Sequence, residues 1–166
     1  MGVIWITGLP GVGKTSAAML VSEQLRSSNE TCVLLDGDEL RSALAHITQG
    51  YDVETRRRLA HTYAALARLV SEQGITSIVA TVSLFTDVHA DNHGLIPRYL
   101  EVHLHCDETE RQRRRPTPDS SSGPWVGSDI AFELPRAPHL RLDSGELSPV
   151  EISAAIVAHW RASNDR

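Results

Sequence analysis

The nonet GLPGVGKTS (8–16) follows the apolar run VIWIT (3–7), and the stretch 14–36 contains neither glycine nor proline. Gly8, Gly13, Lys14 and Thr15 occupy every fixed position of G-x-x-x-x-G-K-[ST]. The chemistry of phosphate binding requires these residue types. Glycines let the backbone curl until successive amide N–H groups converge on the β- and γ-phosphates, and the positive end of the following helix adds attraction. The lysine neutralises charge that builds on a transferred phosphoryl group, and the threonine hydroxyl is suited to Mg2+. A strand must precede such a loop and a helix must follow it, which confines the chain to a layered architecture around parallel strands.

The rest of the chain alternates apolar runs with helical patterns. Strands are expected at 3–7, 32–36 (CVLLD), 76–83 (TSIVATVS), 99–106 (YLEVHLHC) and 139–143 (HLRLD). Helices are expected at 14–28, with Ala17, Leu20, Val21 and Leu25 on one face, and from about Glu39, with Asp38 as its cap. Further helices are expected at 53–74 (ended by Gly74), 88–97, 107–115 (capped by Asp107) and after Ser148, where Ser148 and Glu151 form a capping box. The order predicts a P-loop NTPase-type α/β fold: about five parallel strands flanked by helices, in one domain spanning 1–166. Ligands are then expected at the carboxyl ends of the strands. The segment PTPDSSSGPW (116–125) is rich in proline, serine and glycine, so residues 115–128 read as a mobile lid.

Composition narrows the function. A net charge of −5 weighs against nucleic-acid partners, which reward clustered cations. Seven arginines do concentrate in ETRRRLA and ERQRRRP, either as a local basic patch or as solvated helix faces. No apolar run approaches membrane-spanning length, and a cytoplasmic protein is expected. Cys32 and Cys106 lie in apolar, strand-like segments without metal-ligand spacing and are expected to be buried free thiols. His103 and His105 share a strand face, and His89 and His93 stand four apart; each pair reads more simply as solvated or hydrogen-bonded histidines than as half of a metal site.

The base-reading sequence N-K-x-D of GTPases is absent, and the phosphates of a nucleotide are expected at Gly8, Leu9, Pro10, Gly11, Val12, Gly13, Lys14, Thr15 and Ser16. LLDGDELR (34–41) places Asp36 and Asp38 just beyond a strand end. A carboxylate there can take the proton of an attacking hydroxyl and aim it at the γ-phosphate, which suits a small-molecule kinase. Arg41 and Arg56 are candidates to hold an anionic acceptor. Tyr51 either stacks on a flat acceptor ring or is a half-buried loop tyrosine.

GLPGVGKTS, LLDGDELR, YDVETR and ARLVSEQGITSIVATVSLF together resemble the adenylylsulfate (APS) kinase family, which phosphorylates the 3′-hydroxyl of adenosine 5′-phosphosulfate with Mg-ATP. The likeness covers nearly the whole chain. It implies that the nucleotide is ATP, with catalytic roles for Lys14, Asp38 and Asp36, and Mg2+ ligation by Thr15 and Asp36. It implies acceptor contacts from Asp38, Arg41, Tyr51, Arg56, Ser83 and Phe85, and an adenine contact from Arg114. Downstream, VGSDIAFELPRAP keeps Gly127, Asp129, Glu133, Pro135 and Pro138 of a family motif. A homodimer is also implied. The chain departs from the family where an acceptor-binding asparagine and two arginines become Leu59, His61 and Thr62, and where a lysine-bearing lid becomes the shorter RPTPDSSSGPW, in which Trp125 is a candidate stacking residue. These features predict a kinase of a small anionic alcohol, either APS or a related nucleotide derivative or biosynthetic intermediate. The alternative from another class is a non-catalytic ATP-binding module.

Overall fold

The computed structural model describes residues 1–48, 50–114 and 132–163. The 115–128 segment predicted as a lid, with Trp125 and Gly127, therefore lies outside the described residues, as does Asp129. The chain runs β1 (Gly2–Thr7), α1 (Lys14–Ser27), β2 (Cys32–Asp36), α2 (Gly37–Ala43), α3 (Val53–Glu72), β3 (Thr76–Thr81), α4 (Thr86–Leu95), β4 (Tyr99–His105), α5 (Glu108–Arg114), β5 (Leu140–Asp143) and α6 (Pro149–Ala162). All strand pairs are parallel, in the order β2-β3-β1-β4-β5. β1 is thus the central strand. Every one of its residues is buried, which is why VIWIT reads as continuous rather than alternating apolar character.

Alternation along the strands sends side chains to two cores. Ile4 and Ile6 pack with Ala17, Val21 and Leu25 of α1 and Ile156 and Trp160 of α6. Val3 and Trp5 pack with Leu59, Tyr63 and Ala67 of α3 and Val88 of α4. Among the described residues, no helix is long and apolar enough to cross a membrane.

Most element boundaries agree with the sequence pattern to within one or two residues, and the differences have local causes. The helix expected at Glu39 under an Asp38 cap starts earlier: Asp36 is the N-cap, and its Oδ1 accepts from the Asp38 N–H at 2.9 Å. The last strand residue keeps extended dihedrals and offers the first free carboxylate, so strand passes into helix without a loop. α4 also begins two residues before the expected Val88, because Glu133, 47 positions downstream, accepts from the Thr86 N–H at 2.9 Å. That cap is invisible in the local sequence. Cys106 falls just past the end of β4 and is only half-buried, unlike the fully buried thiol expected; Cys32 is buried, and both are free. The capping box at Ser148 and Glu151 is present.

Candidate active site

The loop after β1 is shaped by close approach. A Cβ on Gly8 would stand 2.3 Å from the Leu104 carbonyl oxygen, so no side chain fits between the loop and β4. Gly13, at φ +85, is the N-cap of α1 and supplies no side-chain cap, and no acidic residue lies in the helix's first turn. The first amides of a fourteen-residue helix are thereby presented to an anion from outside. Lys14 donates from Nζ to the Leu9 carbonyl at 3.0 Å, folding back over the loop. Burial lowers its pKa to about 8, opposed by the neighbouring carboxylates of Asp38 and Asp36. The lysine and the two aspartates are therefore close enough to interact electrostatically.

Thr15 donates to Asp36 Oδ2 at 2.8 Å, joining the loop after β1 to the end of β2. This is a hard-oxygen pair of the kind Mg2+ favours. Asp36 is 8% exposed and has both its carboxylate oxygens hydrogen-bonded, whereas Asp38 is exposed. The carboxylate that is free to meet a hydroxyl is therefore Asp38.

Arg41 and Arg56 both lie over the Tyr51 ring, at 5.1 and 5.7 Å from its centroid. Arg41 donates to the Gly50 carbonyl at 3.2 Å and Arg56 to the Tyr51 carbonyl at 2.9 Å. Tyr51 itself is 45% exposed, and both guanidinium groups lie over its ring. Burial lowers the Arg56 pKa, and the nearby Arg41 charge lowers it further, so an anion between the two would relieve repulsion. Ser83 and Phe85 follow β3 and are buried; Ser83 Oγ lies 2.8 Å from Thr81 Oγ1.

On the other side of Gly13, a cleft of about 280 Å³ is lined by Val12, Gly13, Arg114 and the turn 144–149. Arg114 donates to the Ser144 carbonyl at 3.0 Å and from Nε to Glu110 at 2.6 Å. Sequence reading missed the turn Ser144–Ser148; its DSG start, in which Gly145 N–H donates to Asp143 Oδ1 at 2.7 Å, was the available signal. It also missed Tyr63, whose hydroxyl donates to the Gly37 carbonyl at 3.3 Å and ties α3 to the turn carrying both aspartates. Arg113 pairs with Glu110 at 2.8 Å, while Arg115 lies outside the described residues.

The three departures from the family pattern have clear structural roles. Leu59 is 2% exposed and packs in the α3 core. His61 turns to α4, 3.2 Å from Asp87 and 3.7 Å from Asp91. Thr62 donates to its own helix at the Arg58 carbonyl, 2.9 Å away. None of the three offers a ligand a hydrogen bond of the kind expected from asparagine or arginine. His103 and His105 have ring centroids 5.9 Å apart, and among the described residues no group of three or more potential ligands could hold a metal ion. His89 and His93 instead bracket Glu101, at 2.5 and 2.6 Å, beneath α4.

Comparison with known proteins agrees with this geometry. A family model described as adenylylsulphate kinase matches residues 1–143. A cytidine diphosphoramidate kinase of Campylobacter jejuni is 33% identical over 141 residues, covering 81% of this chain and 82% of that protein. An adenylyl-sulfate kinase of Bacillus pumilus is 31% identical over 164 residues, covering 94% of this chain and 83% of its own. Among solved structures, the APS kinase of Mycobacterium tuberculosis in complex with AMPPNP and APS superposes with a TM-score of 0.81 at 27% identity, covering 94% of this chain and 95% of that one.

Proposed function

The chain belongs to the adenylylsulphate kinase family and is an ATP-dependent small-molecule kinase; on that premise we propose that it phosphorylates a hydroxyl of a small anionic nucleotide, with APS as the first candidate. The observation that carries the reading is the Thr15–Asp36 hydrogen bond, 2.8 Å long, with Lys14 close enough to Asp36 and Asp38 to interact electrostatically. Residues 8–16 and the N-terminal amides of α1 cradle the β- and γ-phosphates. Thr15 and Asp36 would hold Mg2+, which would supply neutralisation of the phosphate charge. Asp38 accepts the proton of the acceptor hydroxyl as its oxygen bonds to the γ-phosphorus and the bond to the β–γ bridging oxygen breaks, releasing ADP. Arg41 and Arg56 hold the acceptor anion, Tyr51 stacks on its base, Ser83 and Phe85 bound the pocket, and Arg114 borders the adenine. Retention of Lys14, Thr15 and both aspartates within interaction range argues against a non-catalytic nucleotide sensor. A single cytoplasmic domain that dimerises and serves sulfate assimilation completes the reading; its association state is measurable by light scattering.

A second acceptor is favoured by one observation: Leu59, His61 and Thr62 all engage the protein's own core or α4. Losing one acceptor hydrogen bond costs about 1–3 kcal/mol, so the loss of two or three weakens APS selectively. The relative named as a cytidine diphosphoramidate kinase makes a pyrimidine nucleotide the matching alternative. The deciding experiment presents Mg-ATP with APS and, separately, with cytidine diphosphoramidate, following ADP and phosphorylated product together. Conversion of APS at the higher kcat/KM supports the first reading; preference for the cytidine compound supports the second. ATP binding with turnover of neither overturns both.

A further inference from the structure

Arg57 follows Arg56 on the first turn of α3, but its partners are different. Its guanidinium carbon lies 4.8 Å from the centroid of Phe85, and Nη1 forms an ion pair with Asp87 Oδ1. Nη2 is 3.6 Å from Glu133 Oε1. Glu133 comes from the other direction in sequence: its Oε2 accepts from the Thr86 N–H at 2.9 Å, and its own N–H donates to the Leu84 carbonyl at 3.1 Å. α4 has no side-chain cap from its N-cap residue, Phe85, so Glu133 supplies one from a distant segment. The short stretch 83–86, which leads from β3 into α4, is therefore fastened on one side by α3 and on the other by the segment around Glu133.

These contacts are poorly suited to a stabilising role. The side chains of Arg57, Asp87 and Glu133 are 31%, 43% and 47% exposed, and ion pairs in that setting contribute little to folding. Their geometry does suit positioning. A planar guanidinium over an aromatic face fixes both the tilt and the depth of the ring, which a flexible ammonium would not do. Glu133, whose carboxylate accepts from the Thr86 N–H and lies near that guanidinium while its own N–H donates to the Leu84 carbonyl, fixes the backbone that carries the ring.

We propose that Arg57 and Glu133 are positioning residues for the acceptor: they set Phe85 and the neighbouring Ser83 as one wall of the acceptor pocket without touching the nucleotide donor. The inference rests on the acceptor reading given above. It predicts a selective effect on the acceptor that folding stability does not account for.

The test compares wild type, Arg57→Ala, Arg57→Lys, Glu133→Gln and the acceptor-wall control Tyr51→Ala, using whichever acceptor the wild type converts at the higher kcat/KM. For each, KM for acceptor, KM for ATP, kcat and Tm are measured. Arg57→Ala is expected to raise acceptor KM about tenfold while ATP KM changes less than about twofold. Arg57→Lys keeps the charge but loses the plane and is expected to fall between the two. Glu133→Gln is expected to raise acceptor KM about threefold, since the amide oxygen can still cap Thr86. If Arg57→Ala fails to fold, the other two variants make the same comparison. An unchanged acceptor KM in the Arg57 and Glu133 variants, with Tyr51→Ala impaired, overturns the inference and leaves the acceptor reading standing. Equal rises in both KM values also overturn it. If Tyr51→Ala is unimpaired as well, or the wild type converts neither acceptor, the acceptor reading fails and the inference falls with it.

Discussion

In the proposed reading, the two halves of the crevice would hold their ligands by different means. On the donor side the contacts are largely backbone: the 8–13 loop, locked against Leu104, and the open amides of α1. On the acceptor side they are side chains, with Tyr51 between Arg41 and Arg56 and Phe85 under Arg57. A backbone cradle depends on a few glycines and tolerates almost any neighbour. A side-chain pocket can be re-aimed by single substitutions, and Leu59, His61 and Thr62 are the positions where the proposed acceptor side differs from the family pattern. Reaction chemistry and substrate choice can therefore diverge at different rates within one small domain.

The sharpest way to break this contrast is at the donor side. Lys14→Ala is expected to lower turnover by at least about 100-fold with the fold intact by circular dichroism; turnover above a few per cent of wild type would contradict the donor assignment. Asp38→Asn should reduce kcat by about 100-fold while leaving ATP affinity, read by calorimetry, within about threefold. Loss of ATP binding in that variant would make the residue structural. Leu59→Asn tests whether the family's hydrogen bond can simply be put back. Because the site is 2% exposed in an apolar cluster, an unpartnered amide there should cost about 2–3 kcal/mol in urea unfolding without improving APS affinity. A stable variant with better APS binding would show that the position does face the crevice.

Tyr51→Ala should raise acceptor KM about tenfold and leave ATP KM alone, so a rise in both would blur the two halves. The smallest effect concerns the sheet under α4. Burial, the neighbouring His105, Arg141 and His89, opposed by Glu101, hold the His103 pKa down to about 4. A folded pKa below the ordinary value means stability is full above about pH 6.5 and declines as pH falls toward about 4. Between pH 7 and 5.5 the urea midpoint should drop by the equivalent of about 1 kcal/mol, and His103→Gln should flatten that slope.

The donor half was legible because its information is contiguous: strand, glycine loop, lysine, helix. So were the strand order's parallel character and the capping box at Ser148. The acceptor half was legible only as residue types at matching positions. That Asp36 caps α2, that Glu133 caps α4, and that Tyr63 reaches Gly37 all depend on contacts between distant segments. His89 and His93 were read as solvated or hydrogen-bonded histidines; the second description holds for His93, while buried His89 meets Glu101 as a close charge pair. Glu101 gave no signal in its own neighbourhood because an isolated acid in an apolar strand has no local signature.

That glutamate has a consequence for the helix above it. Glu101 is 1% exposed, flanked by His89 and His93 one helical turn apart, while its backbone N–H donates to His139 at 2.9 Å. An all-apolar underside could let α4 slide along or rotate on the sheet at small cost, since oily contacts are interchangeable. Two imidazoles meeting one interior carboxylate are not interchangeable, because any slip would strand a charge without partners. The polar trio works as an index pin, and the residues at the head of that helix inherit its precision.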